Sequence, residues 1–394
     1  MTKRDACAVF VLGVLSVIVL GIPGRYGPVS SVAQAATTSS TASKSHPAAP
    51  VFAYYYIWFD RSSWDRAKID VPALGKYSSD DPNVMRQHIR LAKRAGITGF
   101  IVSWKHSATN DRRLSMLINV AASEHFSLAM IYQGLDFYKR PLPAARVAAD
   151  LALFARFFAP QSPFRGFSKP LVIWSGTWKF SADEVARVTR PVRDRILVLA
   201  SERNVKGYER LAAAVDGDAY YWSSVNPGTF PGYRPKLEAM ASAIHQHHGL
   251  WIAPAAPGFD ARKIAGTTVV QRNSGKTLLL ECATAYASNP DVLGLISWNE
   301  FTENTYIEPS KNYGSLYVET AARCRPGSSG LPSDGSSPKY GIDSSAPGHG
   351  FPTGLVVVPV TVAAMVAAVV VGVRRRRQGP SRSDPKAASS KTTS

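Results

Sequence analysis

The sequence predicts an α/β protein: a (β/α)8 barrel of the TIM type, followed by a stalk and one C-terminal transmembrane helix. Three observations predict it. Between residues 50 and 324, short apolar runs alternate eight times with amphipathic segments, the pattern of a parallel sheet whose strands are joined by helices. That stretch is close to the roughly 250 residues such a barrel needs. Finally, residues 354–373 hold 20 residues without a charge and run directly into Arg374-Arg375-Arg376-Arg377. A helix of that length crosses a hydrocarbon core of about 30 Å, and the arginines obey the positive-inside rule.

The N-terminal residues 1–35 read as a secretory signal. Lys3 and Arg4 precede an apolar stretch, and Ala33-Gln34-Ala35 offers a small-x-small cleavage site; an uncleaved N-terminal anchor is the competing reading. Residues 36–49, rich in Thr, Ser, Ala and Pro, form a flexible linker. In the barrel, strands are expected at 51–57, 98–104, 127–132, 170–174, 195–200, 218–223, 250–254 and 292–298. Helices are expected at 82–95, 111–125, 142–158, 181–192, 206–215, 234–248, 276–288 and 313–324.

Local chemistry supports the boundaries. Asp81-Pro82 sets an N-cap before a proline at the first helical position, and Ala95-Gly96 ends that helix. Ser181 with Glu184 makes a capping box. An open doubly wound sheet is the alternative fold with the same alternation. Residues 325–353 are a Gly/Ser/Pro-rich stalk, and 374–394 a basic cytoplasmic tail. Phe351-Pro352-Thr353-Gly354 loosely resembles a sortase sorting signal, so covalent wall attachment stays open beside the membrane span. The expected location is the cell membrane, single-pass, with the barrel extracellular.

The net charge is +18, of which the tail contributes +6 and residues 1–35 contribute +2, leaving +10 for 36–373. A basic exterior favours an anionic wall, a membrane surface or an acidic substrate. No zinc, RNP or helix-turn-helix signature accompanies it, which argues against nucleic acid. Serine-nucleophile, Walker, dinucleotide and H-E-x-x-H patterns are absent, so no cofactor and no metal are expected. His245, His247 and His248 read as a solvated cationic helix end. With Cys7 in the signal, the exported part keeps Cys282 and Cys324. A disulfide between them and two free thiols both stay open, because sequence does not give their distance.

The chemistry concentrates where the last strand ends. Residues 292–296 are apolar and deliver Trp298, Asn299, Glu300, Glu303 and Tyr306. On a helical turn, Glu300 and Glu303 have Cβ atoms about 5–6 Å apart. That is near the roughly 5–5.5 Å between the two carboxyls of a retaining glycosidase. A solvated loop is the bland alternative. Other strand ends bring Tyr56, Trp58, Trp104, Trp174, Tyr221, Trp222 and Asp260 toward the same rim, and six of the eight tryptophans fall there. Aromatic faces with a few placed polar groups suit sugar rings. The candidate substrate-binding set is therefore Tyr56, Trp58, Trp104, Trp174, Trp222, Asp260, Trp298, Asn299 and Tyr306, with Asp260 alternatively tied to Arg262, and Glu202 expected in a salt bridge.

Several of these stretches resemble one family. Tyr77-Ser78-Ser79-Asp80-Asp81-Pro82, the run from Ala95 through Trp104, Pro257-Gly258-Phe259-Asp260 with Arg262, and the run from Ser297 through Glu303 to Ile307-Glu308-Pro309 resemble glycoside hydrolase family 99 and the family 71/99-like proteins. The resemblance covers about residues 51–322. It implies endo-acting hydrolysis of α-linked glycans, α-mannosides in family 99 and α-1,3-glucan in family 71, with retention and no metal in family 99. The family pattern is Glu-Trp-His-Glu. Its second glutamate is acid and base, and its first assists the sugar 2-hydroxyl in forming a 1,2-anhydro intermediate. Carried over, Glu303 takes the first role and Glu300 the second, with Phe301-Thr302 in place of Trp-His. A proton-donating Glu303 needs a pKa raised by burial or by Glu300. From a different class, a catalytically inactive glycan-binding barrel at the cell surface would use the aromatic rim alone.

Overall fold

The computed structural model describes residues 49–66 and 68–325. The expected signal, the linker up to residue 48, the stalk beyond 325, the membrane span and the basic tail lie outside the described residues. Among the described residues, no helix is long and apolar enough to cross a membrane.

Eight parallel strands form one sheet: β1 Val51–Tyr56, β2 Gly99–Trp104, β3 Ser127–Gln133, β4 Leu171–Ser175, β5 Leu197–Leu199, β6 Gly217–Ala219, β7 Leu250–Ala255 and β10 Val292–Leu295. Their order is β5-β4-β3-β2-β1-β10-β7-β6. The ring closes between β5 and β6 at the parallel bridge of Ala200 with Asp218, where Ala200 N–H donates to Gly217 O at 2.9 Å and Ala219 N–H to Ala200 O at 2.9 Å. This is the (β/α)8 barrel the alternation predicts, not the open sheet.

Strand parity sorts the side chains into two layers. Phe52, Tyr54 and Tyr56 point inward with Ile101, Ile131, Ile173 and Leu199. Val51, Ala53 and Tyr55 point outward with Phe100, Val102 and Trp104 against the helices, as the period of two requires. Gly99 has no side chain because a Cβ there would stand 2.2 Å from the Phe52 ring.

The helices are α1 Pro82–Arg94, α2 Ala108–Ser123, α3 Ala144–Phe157, α4 Ala182–Thr189, α5 Val205–Glu209, α6 Tyr233–Gln246, α7 Lys276–Ala287 and α8 Leu316–Ala322. The Asp81 carboxylate accepts from Asn83 N–H at the start of α1, and Ser181 with Glu184 closes a capping box on α4. Three strands are markedly shorter than expected, β5 keeping only Leu197–Leu199 of 195–200. β6 leaves the sheet after Ala219, not at 223, and β10 stops at Leu295, just before a cis peptide bond between Ile296 and Ser297. A small antiparallel hairpin, β8 Phe259–Asp260 with β9 Val269–Val270, was not expected; strands of two residues carry no readable period.

Cys282, on α7, and Cys324, just past the end of α8, form a disulfide with Cα atoms 5.6 Å apart. Beside it on α7, Glu281 is fully buried and its carboxylate accepts from the Tyr233 hydroxyl at 3.3 Å. Burial pushes the Glu281 carboxyl well above its ordinary value.

Two stability predictions result. Cys282→Ser is expected to cost about 2–4 kcal/mol, since the bond closes a long loop of the unfolded chain; matched thermal melts with and without reductant check it. Glu281 is accommodated in its protonated form, so the stability it contributes is present at acid pH and is lost as pH rises through the raised pKa. Melts at about pH 5 and about pH 8 should show Glu281→Gln flattening that decline, gaining most at the higher pH.

Candidate active site

Beyond Leu295 the ladder between β10 and β1 continues by other means. Trp298 N–H donates to Tyr54 O at 2.8 Å. The Asn299 carboxamide then takes over: its Oδ1 accepts from Tyr56 N–H at 2.8 Å, and its Nδ2 donates to Tyr56 O at 3.0 Å and to the Tyr77 hydroxyl at 3.3 Å. A side-chain amide thus replaces a peptide unit and binds the end of the last strand to the end of the first.

The following residues fold into a tight turn. Ser297 Oγ accepts from Glu300 N–H at 2.8 Å, and Thr305 N–H donates to Glu300 O at 3.2 Å. Asn304 closes the turn at φ 57°, a left-handed conformation that asparagine tolerates. The turn holds Glu300 and Glu303 inward at 3% and 5% exposure.

The two carboxyls have unequal surroundings. Burial raises Glu300, but hydrogen bonds from Thr302, whose N–H donates to Oε1 at 2.9 Å, and the positive charge of Lys68 oppose this. Glu303 is pushed up to about 8, first by burial and then by the negative charge of Glu300, with Lys139 opposing. The pair therefore shares its protons unevenly: Glu303 keeps one at neutral pH and Glu300 is the readier carboxylate. Near enough to feel both charges is a phenol pair, Tyr56 and Tyr221, hydroxyl to hydroxyl at 2.8 Å. Burial is the main cause raising both phenols, and the charges of Glu300 and Glu303 add to it, so both keep their protons. Trp58 packs on Tyr56 with ring centres 4.4 Å apart and planes tilted by 30°, and is 45% exposed.

Of the candidate residues, Glu300, Glu303, Tyr56 and Trp58 come together. Others do not. Trp104, Trp174 and Trp298 are fully buried in the layer between barrel and helices. Trp104 donates to Asp111 and packs on Phe154, Trp174 packs on Phe180, and Trp298 packs on Phe100 and His88. Their parity is the reason: Trp104 shares the face of Phe100 and Val102, and Trp174 that of Val172. Tyr306 lies stacked on Phe301 at 3.9 Å, its hydroxyl donating to Asp70 at 2.6 Å. Asn299 spends its amide on backbone. Asp260 is paired with Arg262 at 2.6 Å, and Glu202 with Arg210 at 3.3 Å. Trp222 is half-buried in a separate groove.

Sequence reasoning missed a buried polar chain behind the turn. The Tyr77 hydroxyl, which accepts from Asn299, donates to Glu308 Oε2 at 2.9 Å; Glu308 Oε1 meets His88 Nε2 at 3.1 Å, and His88 Nδ1 meets the Tyr55 hydroxyl at 3.0 Å. Tyr77 and Glu308 both sit in the family-resembling stretches, which was the available signal. Lys68 and Lys139 had none, since lysines in loops are ordinarily solvated.

A closed parallel barrel carrying a buried carboxylate pair where its last strand ends defines the class: a (β/α)8 barrel with a carboxylate-pair site at its C-terminal rim. No family model matches the chain. Among curated proteins it is 23% identical over 273 residues to the human glycoprotein endo-alpha-1,2-mannosidase-like protein, covering 63% of this chain and 59% of that protein. To the rat glycoprotein endo-alpha-1,2-mannosidase it is 21% identical, covering 63% and 59%. The match thus spans less than two thirds of those relatives' own length. Among solved structures, the GH99 endo-alpha-mannosidase from Bacteroides thetaiotaomicron superposes with a TM-score of 0.61 at 20% identity, over 70% of this chain and 96% of that one. A glycoside hydrolase-like protein gives 0.56 at 15%, over 71% and 94%. In its fold, this chain is similar to the GH99 endo-alpha-mannosidase, and in sequence it is distantly similar to the endo-alpha-1,2-mannosidase-like proteins.

The Asn299 amide is expected to carry the geometry of the turn. Asn299→Ala leaves the buried N–H and C=O of Tyr56 without these partners and should cost about 2–4 kcal/mol, read as a lowered urea midpoint with an unchanged slope.

Proposed function

We propose that this protein is a glycoside hydrolase that cuts internal α-glycosidic bonds of a glycan, α-mannan or α-glucan in type, with retention. One observation carries the reading: two carboxyls buried on one turn, with proton affinities driven apart by their surroundings, near a pair of protonated phenols. Such separation is how a site assigns acid and base roles. The names of the curated relatives favour an α-mannoside as the substrate.

The roles follow from the proton balance. Glu303 gives its proton to the glycosidic oxygen as the bond to C1 breaks. The sugar 2-oxygen attacks C1, and its proton passes to the Glu300 carboxylate, leaving a 1,2-anhydro sugar. Water then opens that ring at C1 while the Glu303 carboxylate takes the water proton, and Glu300 returns its own to the 2-oxygen. Two inversions give net retention, and both glutamates end as they began. Tyr56 and Tyr221 supply hydroxyl donors, and Trp58 an apolar face for a ring. Phe301 and Thr302 keep the turn rather than reach outward: Phe301 is buried between Trp64 and Tyr306, and Thr302 donates to Glu300.

An inactive binding module that relied on an aromatic rim would lack most of it, since Trp104, Trp174 and Trp298 face the helices. In the cell, the signal and the 354–373 span would hold the barrel outside a single-pass membrane anchor.

Reducing-end release from a panel of α-mannans and α-glucans tests the reading. Cleavage of one polymer is expected, with kcat reduced by about 10²–10⁴ in Glu303→Gln and in Glu300→Gln; activity that survives both substitutions would sink the assignment. The rate should decline above about pH 8 as Glu303 loses the proton it must donate, and at acid pH as Glu300 gains one. Glu303→Gln should abolish the alkaline limb.

A further inference from the structure

The C-terminal face of the barrel carries a second opening. A groove of about 520 Å³ runs between the loop that follows β6 and the strand β9, walled by Trp222, Asn226, Thr229 and Phe230 on one side and by Val270 and Gln271 on the other. None of its eleven lining residues is charged. In a chain with 46 Lys and Arg and a net charge of +18, an uncharged groove is a selective feature. Its lining presents amides, hydroxyls and apolar faces, which suits a neutral ligand; the nearest ammonium, Lys236, is engaged on the Trp222 and Tyr220 rings.

The walls are held in place. The Trp222 indole N–H donates to Ser224 Oγ at 3.1 Å, and its ring is fixed by the edges of Tyr233 and Phe230 and by the Lys236 ammonium 4.8 Å away. Asn226 turns the loop tightly: its Oδ1 accepts from Gly228 N–H at 2.9 Å, and its carbonyl accepts from Thr229 and Phe230 N–H at 3.0 Å. This presents Phe230 at the lip, 46% exposed. Aromatic faces beside neutral amides and hydroxyls are the chemistry of a sugar chain, whose C–H faces pack on rings while its hydroxyls pair with amides.

Both walls join the carboxylate site. Tyr221, whose hydroxyl meets that of Tyr56, is the residue before Trp222. On the other side β9 pairs with β8, and Asp260 N–H of β8 donates to Glu303 O at 2.8 Å. One two-stranded hairpin therefore separates groove from catalytic turn.

We propose that this groove is a further glycan subsite, holding a neutral stretch of the substrate chain away from the bond that is cut. It rests on the glycoside hydrolase reading above. By adding binding that a short substrate cannot reach, it selects long chains.

The test uses the full-length protein with Phe230→Ala and Gln271→Ala, two exposed positions whose loss leaves the core intact, beside Trp222→Ala. On linear α-mannan, KM should rise about three- to tenfold in Phe230→Ala. For the shortest α-manno-oligosaccharide that is cleaved, it should move less than about twofold. An equal rise on both substrates, or none on either, overturns the subsite. Calorimetric binding of the same polymer to Glu303→Gln, with and without Phe230→Ala, decides the matter without turnover. Affinity weakened by a similar factor supports the groove even if the wild type cuts nothing and the hydrolase reading fails. Affinity that is unchanged, or no binding of α-mannan at all, overturns it.

Discussion

The amide of Asn299 is the contact on which the site depends. The β1–β10 ladder runs from Val51 with Leu293 to Ala53 with Leu295 and then stops, yet the chain must still hold a turn of carboxylates against the end of β1. Asn299 does so by offering a donor and an acceptor to the two backbone groups of Tyr56. Because Tyr56 carries the phenol and Asn299 is followed by Glu300, one bidentate contact fixes the residue that bears the hydroxyl beside the residue that precedes the carboxyl. Behind it, Tyr77, Glu308, His88 and Tyr55 continue the hydrogen bonding into the layer between barrel and helices. A buried polar chain of this kind rigidifies when its members are paired.

That rigidity allows burial to do chemical work. Two carboxyls withdrawn from water would both rise, and in a symmetric setting neither would have a defined role. Here hydrogen bonds from Thr302 and the charge of Lys68 hold Glu300 down, while Glu303 is raised by burial and by the charge of its neighbour with Lys139 alone opposing. The asymmetry comes from hydrogen bonds of the turn, those of Thr302 first, and from the placing of the lysines. Phe301 and Thr302 serve it directly, because Thr302 N–H reaches Glu300 and Phe301 fills the space beside Tyr306.

Much of the barrel was legible in advance. The eight strands and eight helices occur in the expected order and places, several of them shorter than expected, since parallel strands buried on both faces and amphipathic helices leave strong local signatures. The aromatic rim was read less well. Counting tryptophans near strand ends ignored parity, and parity sends Trp104 and Trp174 to the helix side while Tyr56, two residues after Tyr54, stays inside. Lys68 and Lys139 left no signal, because their influence depends on loops of irregular path.

The sequence by itself determined the period of the barrel, the capped helices, the paired glutamates on their turn and the two cysteines of the barrel stretch. These are local properties, written in neighbouring residues. Only the tertiary structure decided that Cys282 and Cys324 lie 5.6 Å apart, that Asn299 grips Tyr56 across 243 positions, that Tyr221 reaches Tyr56, and that the two glutamates differ in proton affinity. Each of these depends on the closing of the sheet, which brings first strand against last. Burial and charge at a point are sums over everything packed around it, and no stretch of sequence contains that sum.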